Sequence, residues 1–167
     1  NQIWMAENLE YKHESFSLNY YNKYQGQMEG LAIYGYFYEY EIINEVCPFG
    51  WKIPSQSDWD ILSSNLGGWS SAGLILKSKS GWSFQGNGTD SVGFNALPSG
   101  IRKYNFKRGE KTSWWSSTDQ IGGTINYAIS FDNDGLFPMT SNNSSYDLPV
   151  RCIKDTSILD TVNIYIS

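Results

Sequence analysis

Cys47-Pro48-Phe49-Gly50-Trp51-Lys52-Ile53-Pro54-Ser55-Gln56-Ser57-Asp58-Trp59 takes three structural decisions in one run. Cys47-Pro48-Phe49-Gly50 stops whatever precedes it, because Pro48 lacks a backbone N–H and Gly50 permits a reversal. Pro54-Ser55 then starts a helix. Ser55 is a good N-cap, and Asp58 three residues later resembles the second half of a capping box. Beyond it, Trp59, Leu62 and Leu66 stand at i, i+3 and i+7 and form one apolar stripe, which reads as a core-facing surface. Gly67-Gly68 ends the helix.

Upstream, Tyr34, Phe37, Tyr38, Glu41, Ile42 and Glu45 recur at three-to-four spacing, so the second half of residues 31–46 is expected to be helical. Residues 10–30 are polar and tyrosine-rich without a clean period and read as a long excursion. Residues 4–9 read as a short strand. Downstream of Trp69 the chain is punctuated by glycine. Residues 114–118 and 126–131 read as strands, and Asp132-Asn133-Asp134-Gly135 as a hairpin turn. Residues 148–153 read as the strand that carries Cys152. Residues 158–166 alternate apolar side chains, as an extra strand or an ordered tail would.

Composition bounds the class. The chain has 167 residues, enough for one domain with a proper core. Charged residues are 17%, aromatic residues 16%, and there are 16 glycines, which favours short strands, tight turns and aromatic plugs over a helical bundle. The formal net charge of -5 argues against a nucleic-acid partner and against an anionic membrane surface. No stretch is apolar for long enough to cross a bilayer, so direct membrane insertion is not expected. The abrupt opening at Asn1-Gln2-Ile3-Trp4 reads as a processed or truncated start.

Cys47 and Cys152 are the only cysteines and His13 the only histidine, too few for a structural zinc site, and the cysteine spacing is not that of a thioredoxin-like centre. A long-range disulfide and two buried thiols both remain open at this point. No metal and no cofactor is expected. Asp132-Asn133-Asp134-Gly135 lacks the closing glutamate of a calcium loop, since Asn143 occupies that position. No Gly-x-Ser-x-Gly elbow accompanies Ser116 and Ser117, and nothing marks a carboxylate pair, so no catalytic activity is expected.

A set of phrases then occurs in order: Trp4-Met5-Ala6-Glu7-Asn8-Leu9, Cys47 to Ser55 as quoted above, Asp58-Trp59, Leu76-Lys77-Ser78 and Ser80-Gly81-Trp82. Gly88-Thr89-Asp90-Ser91-Val92-Gly93-Phe94, Ala96-Leu97-Pro98-Ser99-Gly100, Trp114-Trp115-Ser116-Ser117-Thr118 and Pro149-Val150-Arg151-Cys152-Ile153 follow. Together they resemble the Fibrobacter succinogenes major paralogous domain over residues 1–155, leaving residues 156–167 as an extension. The family begins some residues earlier, which implies that Asn1 lies just inside the domain. The resemblance implies an α+β, C-type-lectin-like fold with paired first and last strands, two successive helices and a long loop region. It also implies a Cys47–Cys152 disulfide and a secreted or surface location.

Within that frame the late part of the chain is the candidate recognition surface. Arg102, Tyr104, Trp114, Asn126, Asp132, Asn133, Asn142, Asn143 and Tyr146 combine aromatic faces with amides and a carboxylate, the side chains that hold sugars or anchor protein interfaces. Strand alternation puts Trp114 and Trp115 on opposite faces, so one of them is expected in the core. The resemblance implies that it is Trp115, with Trp51, Trp59, Leu62 and Trp82, and leaves Trp114 at the surface. The expected ligand is a glycan or a protein. The rivals are a purely structural module of a larger surface protein and a hydrolase with an unrecognised carboxylate pair.

Overall fold

The computed structural model describes residues 1–14, 31–101, 107–121, 123–141 and 146–157. The expected extra strand at 158–166 and most of the early excursion, residues 15–30, lie outside them. The architecture is mixed, with few helices and small antiparallel sheets. The helices are α1 (Leu31–Tyr34), α2 (Ile43–Val46), α3 (Gln56–Asn65) and α4 (Ala72–Leu76). Strands β1 (Phe37–Tyr38) and β2 (Trp51–Lys52) precede α3, and β6 (Leu148–Pro149) and β7 (Ile153–Lys154) close the described chain. The longest strands, β3 (Lys111–Gln120), β4 (Gly123–Ser130) and β5 (Phe137–Ser141), lie between.

Helix α3 forms as the sequence dictates. Ser55 Oγ accepts from the Asp58 N–H at 3.3 Å, and Asp58 Oδ2 accepts from the Ser55 N–H at 2.9 Å. This reciprocal pair satisfies two of the donors that a helix start leaves open. Trp59 and Leu62 are buried and Leu66 packs beside them. At the far end Gly67 and Gly68 both take positive φ, and the Gly68 N–H closes onto the Ser63 carbonyl.

The segment before it is helical in its second half, as its spacing predicts, with a 3-10 turn at Tyr40–Ile42 running into α2; its first half breaks into α1 and then β1. Gly35 explains the break. It sits at φ +77°, and a Cβ there would lie 2.7 Å from Asn8 Cβ. The chain therefore turns where the N-terminal segment presses against it. The Tyr36 N–H donates to the Leu9 carbonyl, and β1 pairs antiparallel with β6.

The two ends of the domain meet as expected, but through single bonds rather than a continuous strand. Trp4 bridges Ile153 in antiparallel fashion. The Met5 N–H donates to the Cys152 carbonyl, the Leu9 N–H to the Val150 carbonyl and the Lys154 N–H to the Ile3 carbonyl. Cys47 and Cys152 are joined in a disulfide with their Cα atoms 6.0 Å apart. β2 pairs with β7 next to it.

β3, β4 and β5 form one antiparallel sheet in that order. The hairpin expected at Asp132-Asn133-Asp134-Gly135 joins β4 to β5. Helix α4 was not anticipated. Gly73 lets it lie against the hairpin turn, since a Cβ at Gly73 would come 2.2 Å from the Gly135 carbonyl oxygen. Lys77, just after α4, is buried and donates to the Asn133 carbonyl at 3.0 Å, fixing the turn from below.

Two apolar clusters flank β3. One gathers Trp59, Leu76, Trp82, Phe94, Trp114 and Tyr127, and the other Tyr38, Ile43, Val46, Trp115, Val150 and Cys152, each with smaller neighbours. Trp59, Leu62, Trp82 and Trp115 are buried as expected, whereas Trp51 is half-buried. Trp114 corrects the reading of the pair. It is fully buried, like Trp115. Alternation does send the two rings to opposite faces, but both faces of β3 are covered at that level. Trp114 Nε1 donates to Asn8 Oδ1 and Trp115 Nε1 to the Tyr38 carbonyl, both at 2.7 Å, so each indole is satisfied inside.

Candidate functional site

The register of the sheet sorts its side chains. Trp114 pairs with Tyr127 and Thr112 with Ile129, and this face, with Ile125, belongs to the first apolar cluster. The opposite face carries Lys111, Ser113 and Trp115 of β3, then Asn126, Ala128 and Ser130 of β4, then Phe137 and Met139 of β5. Trp115 is covered by the second cluster. Next to it the face becomes polar and opens.

There a cavity of about 70 Å³ is lined by Ile101, Lys111, Asn126, Met139, Thr140, Tyr146 and Leu148. Asn126 is buried, and its Oδ1 accepts from the Ser113 hydroxyl at 2.6 Å, which fixes the amide orientation. Lys111 is half-buried at the strand start, and its Nζ lies 3.4 Å from Met139 Sδ. Burial pushes the Lys111 amine below the ordinary lysine range, the neighbouring Lys107 pushes it the same way, and Asp132 opposes both. Phe137 and Met139 remain partly exposed on the same face.

The nine residues expected at the site divide accordingly. Asn126 and Tyr146 line the cavity, and Asp132 acts on its lysine. Asp132 and Asn133 are exposed at the hairpin turn, where the Ser130 hydroxyl donates to Asp132 and Asn133 Oδ1 accepts from the Gly135 N–H at 2.6 Å. Trp114 lies on the other face, in the core, and cannot meet a ligand. Asn126 was expected to be exposed and is instead buried, reaching ligand space only through the cavity wall. Arg102, Tyr104, Asn142 and Asn143 lie outside the described residues. Lys111, Met139 and Thr140 were missed. The available signal was the one lysine that opens the Thr112-Ser113-Trp114-Trp115 strand, followed by the alternation of Phe137 and Met139.

Two other features frame this site. A larger cleft of about 570 Å³ runs along Leu9, Glu10, Tyr11, Glu45, Val46, Cys47 and Pro48, and it is acidic where His13 Nε2 meets Glu45 Oε2 at 3.3 Å. The second feature is the fully buried Arg151. Its Nη2 and Nε donate to Asn8 Oδ1 at 2.7 and 3.0 Å, and its Nη1 donates to the Phe94 and Met5 carbonyls. The Phe94 ring lies under the guanidinium with its centroid 4.4 Å away. Burial lowers its pKa to about 9, so it stays charged at neutral pH, held by oxygens and a ring face. This arginine ties the first segment to the last and has no access to a ligand.

Mixed α/β architecture, small antiparallel sheets and the Cys47–Cys152 bond define a small disulfide-linked α/β domain. The family model described as the Fibrobacter succinogenes major domain matches residues 1–154, and the chain belongs to that family. Comparison with the curated proteins and with the solved structures gives no match. Among the described residues, no helix is long and apolar enough to cross a membrane.

Proposed function

We propose that this domain is a non-catalytic recognition module that works outside the cytoplasm, on a surface or secreted bacterial protein, and binds glycan or protein through the open face of the β3–β4–β5 sheet. The observation that carries the reading is the lining of its cavity. An ammonium, an amide, a hydroxyl, a phenol and a thioether converge there, with neither carboxylate nor imidazole among the seven lining residues. That set offers donors and acceptors to polar groups, and the carboxylate pair of a glycoside hydrolase is not among it. The antiparallel meeting of the first and last segments and the Cys47–Cys152 bond support a C-type-lectin-like organisation. A disulfide that closes most of the chain also favours an oxidising compartment.

Retention on a glycan array tests the proposal. Wild-type domain should be retained by a defined subset of glycans, and Met139→Asp, which places a charge on the open face, should lose that retention with an unchanged melting temperature. Uniform absence of retention, or retention that Met139→Asp leaves intact, would favour the purely structural module.

A further inference from the structure

We propose that the cavity beside Lys111 is a socket for the carboxylate of an acidic saccharide, a uronic-acid unit within an otherwise neutral glycan. The inference rests on the recognition reading above and names its ligand class. Size comes first. A cavity of about 70 Å³ accepts a group of a few heavy atoms, so a pendant carboxylate fits and a whole sugar ring does not. Charge comes next. Lys111 is the single charged residue in the lining. The ion pairs among the described residues are His13–Glu45, Lys52–Asp58 and Lys77–Asp134, so none engages it. Its ammonium rests on the thioether of Met139, a weak acceptor.

A half-buried ammonium with so poor a partner gains more from an incoming carboxylate than an exposed one would, because less water competes for it. Burial and Lys107 both disfavour its charge, and a bound anion relieves both, while Asp132 supplies only part of that relief from the turn. The rim suits a sugar. Met139 and Phe137 are about two-fifths exposed, at 41% and 40%, and offer apolar surface to the C–H face of the ring that bears the carboxylate. The remaining choice is between an acidic glycan and an acidic polypeptide. The chain carries a net charge of -5, which repels a polyanionic protein surface, whereas an isolated uronate brings one charge to one lysine.

Calorimetric titration with a neutral xylo-oligosaccharide bearing one glucuronic-acid branch, the same oligosaccharide with that acid methyl-esterified, and a glutamate-rich peptide separates the outcomes. The free acid should bind wild type. Esterification and Lys111→Gln should each weaken it by about tenfold or more, the loss of one charge-assisted hydrogen bond. Lys111→Arg should retain most of the affinity, and the melting temperatures of both variants should match wild type. Equal binding of acid and ester, or an unchanged affinity in Lys111→Gln, overturns the socket and leaves glycan recognition standing. Binding of the peptide alone overturns the saccharide and leaves recognition by this face standing. Binding of none of the three overturns the socket, and if the glycan array is also blank the recognition reading falls with it.

Discussion

On one face of the β3–β4–β5 sheet, Trp114, Ile125, Tyr127 and Ile129 are sealed against Trp59 and Phe94; on the other, Asn126, held by Ser113, lines a cavity with Lys111 and Met139. The same three strands build both faces, and the register alone decides which side chain goes where. On the closed face rings meet rings: Trp59 stacks on Tyr127 at 5.0 Å, and Trp69 stacks on Tyr127 from 5.6 Å. On the open face an amide is held by a hydroxyl, and a lysine rests on a thioether. Aromatic content alone therefore does not place a side chain at the surface of this domain. Its described tryptophans mostly serve packing, and the open face presents Lys111, Thr140 and Tyr146 beside the partly exposed Phe137 and Met139.

Trp114→Ala gives the largest expected effect. Removing a fully buried indole should cost about 3–5 kcal/mol, the usual cost of truncating a large buried aromatic, measured by urea unfolding. A loss below about 1 kcal/mol would return Trp114 to the surface and erase the distinction between the faces. Asn8→Ala comes next. Asn8 Oδ1 accepts from Arg151 Nε and Nη2 and from Trp114 Nε1, so its removal leaves three buried N–H donors short of a partner. A destabilisation of about 2–3 kcal/mol is expected in the same assay, with glycan binding retained once the variant is folded. Loss of binding at full stability would instead connect Asn8 to the ligand face.

How much of this could be read in the sequence follows from the range of the forces involved. Helix α3 and the β4–β5 hairpin were legible because a capping box, an apolar stripe and a turn motif act over a few residues. The disulfide was legible because Cys47 and Cys152 are the only cysteines and the family resemblance places them where a bond is expected. The break in residues 31–46 was not legible. It depends on Gly35 meeting Asn8, a contact between segments with nothing local to announce it. The candidate site was half legible for the same reason. Alternation separates Trp114 from Trp115, but what covers each face is a tertiary fact, so the expectation that Trp114 is exposed failed where both faces proved covered. Asn126 and Tyr146 were found by composition, while Lys111 looked like any solvated lysine until the fold placed it at a cavity.

Where a ligand sits is read directly by an NMR titration of isotope-labelled domain with the oligosaccharide that bears one glucuronic acid. The expected result is a set of chemical-shift changes centred on Lys111, Asn126, Met139 and Tyr146, with Trp59 and Tyr127 on the closed face unmoved. Changes concentrated instead at Glu10, Tyr11, Glu45 and Pro48, along the larger acidic cleft, would contradict the assignment of the open sheet face as the recognition surface.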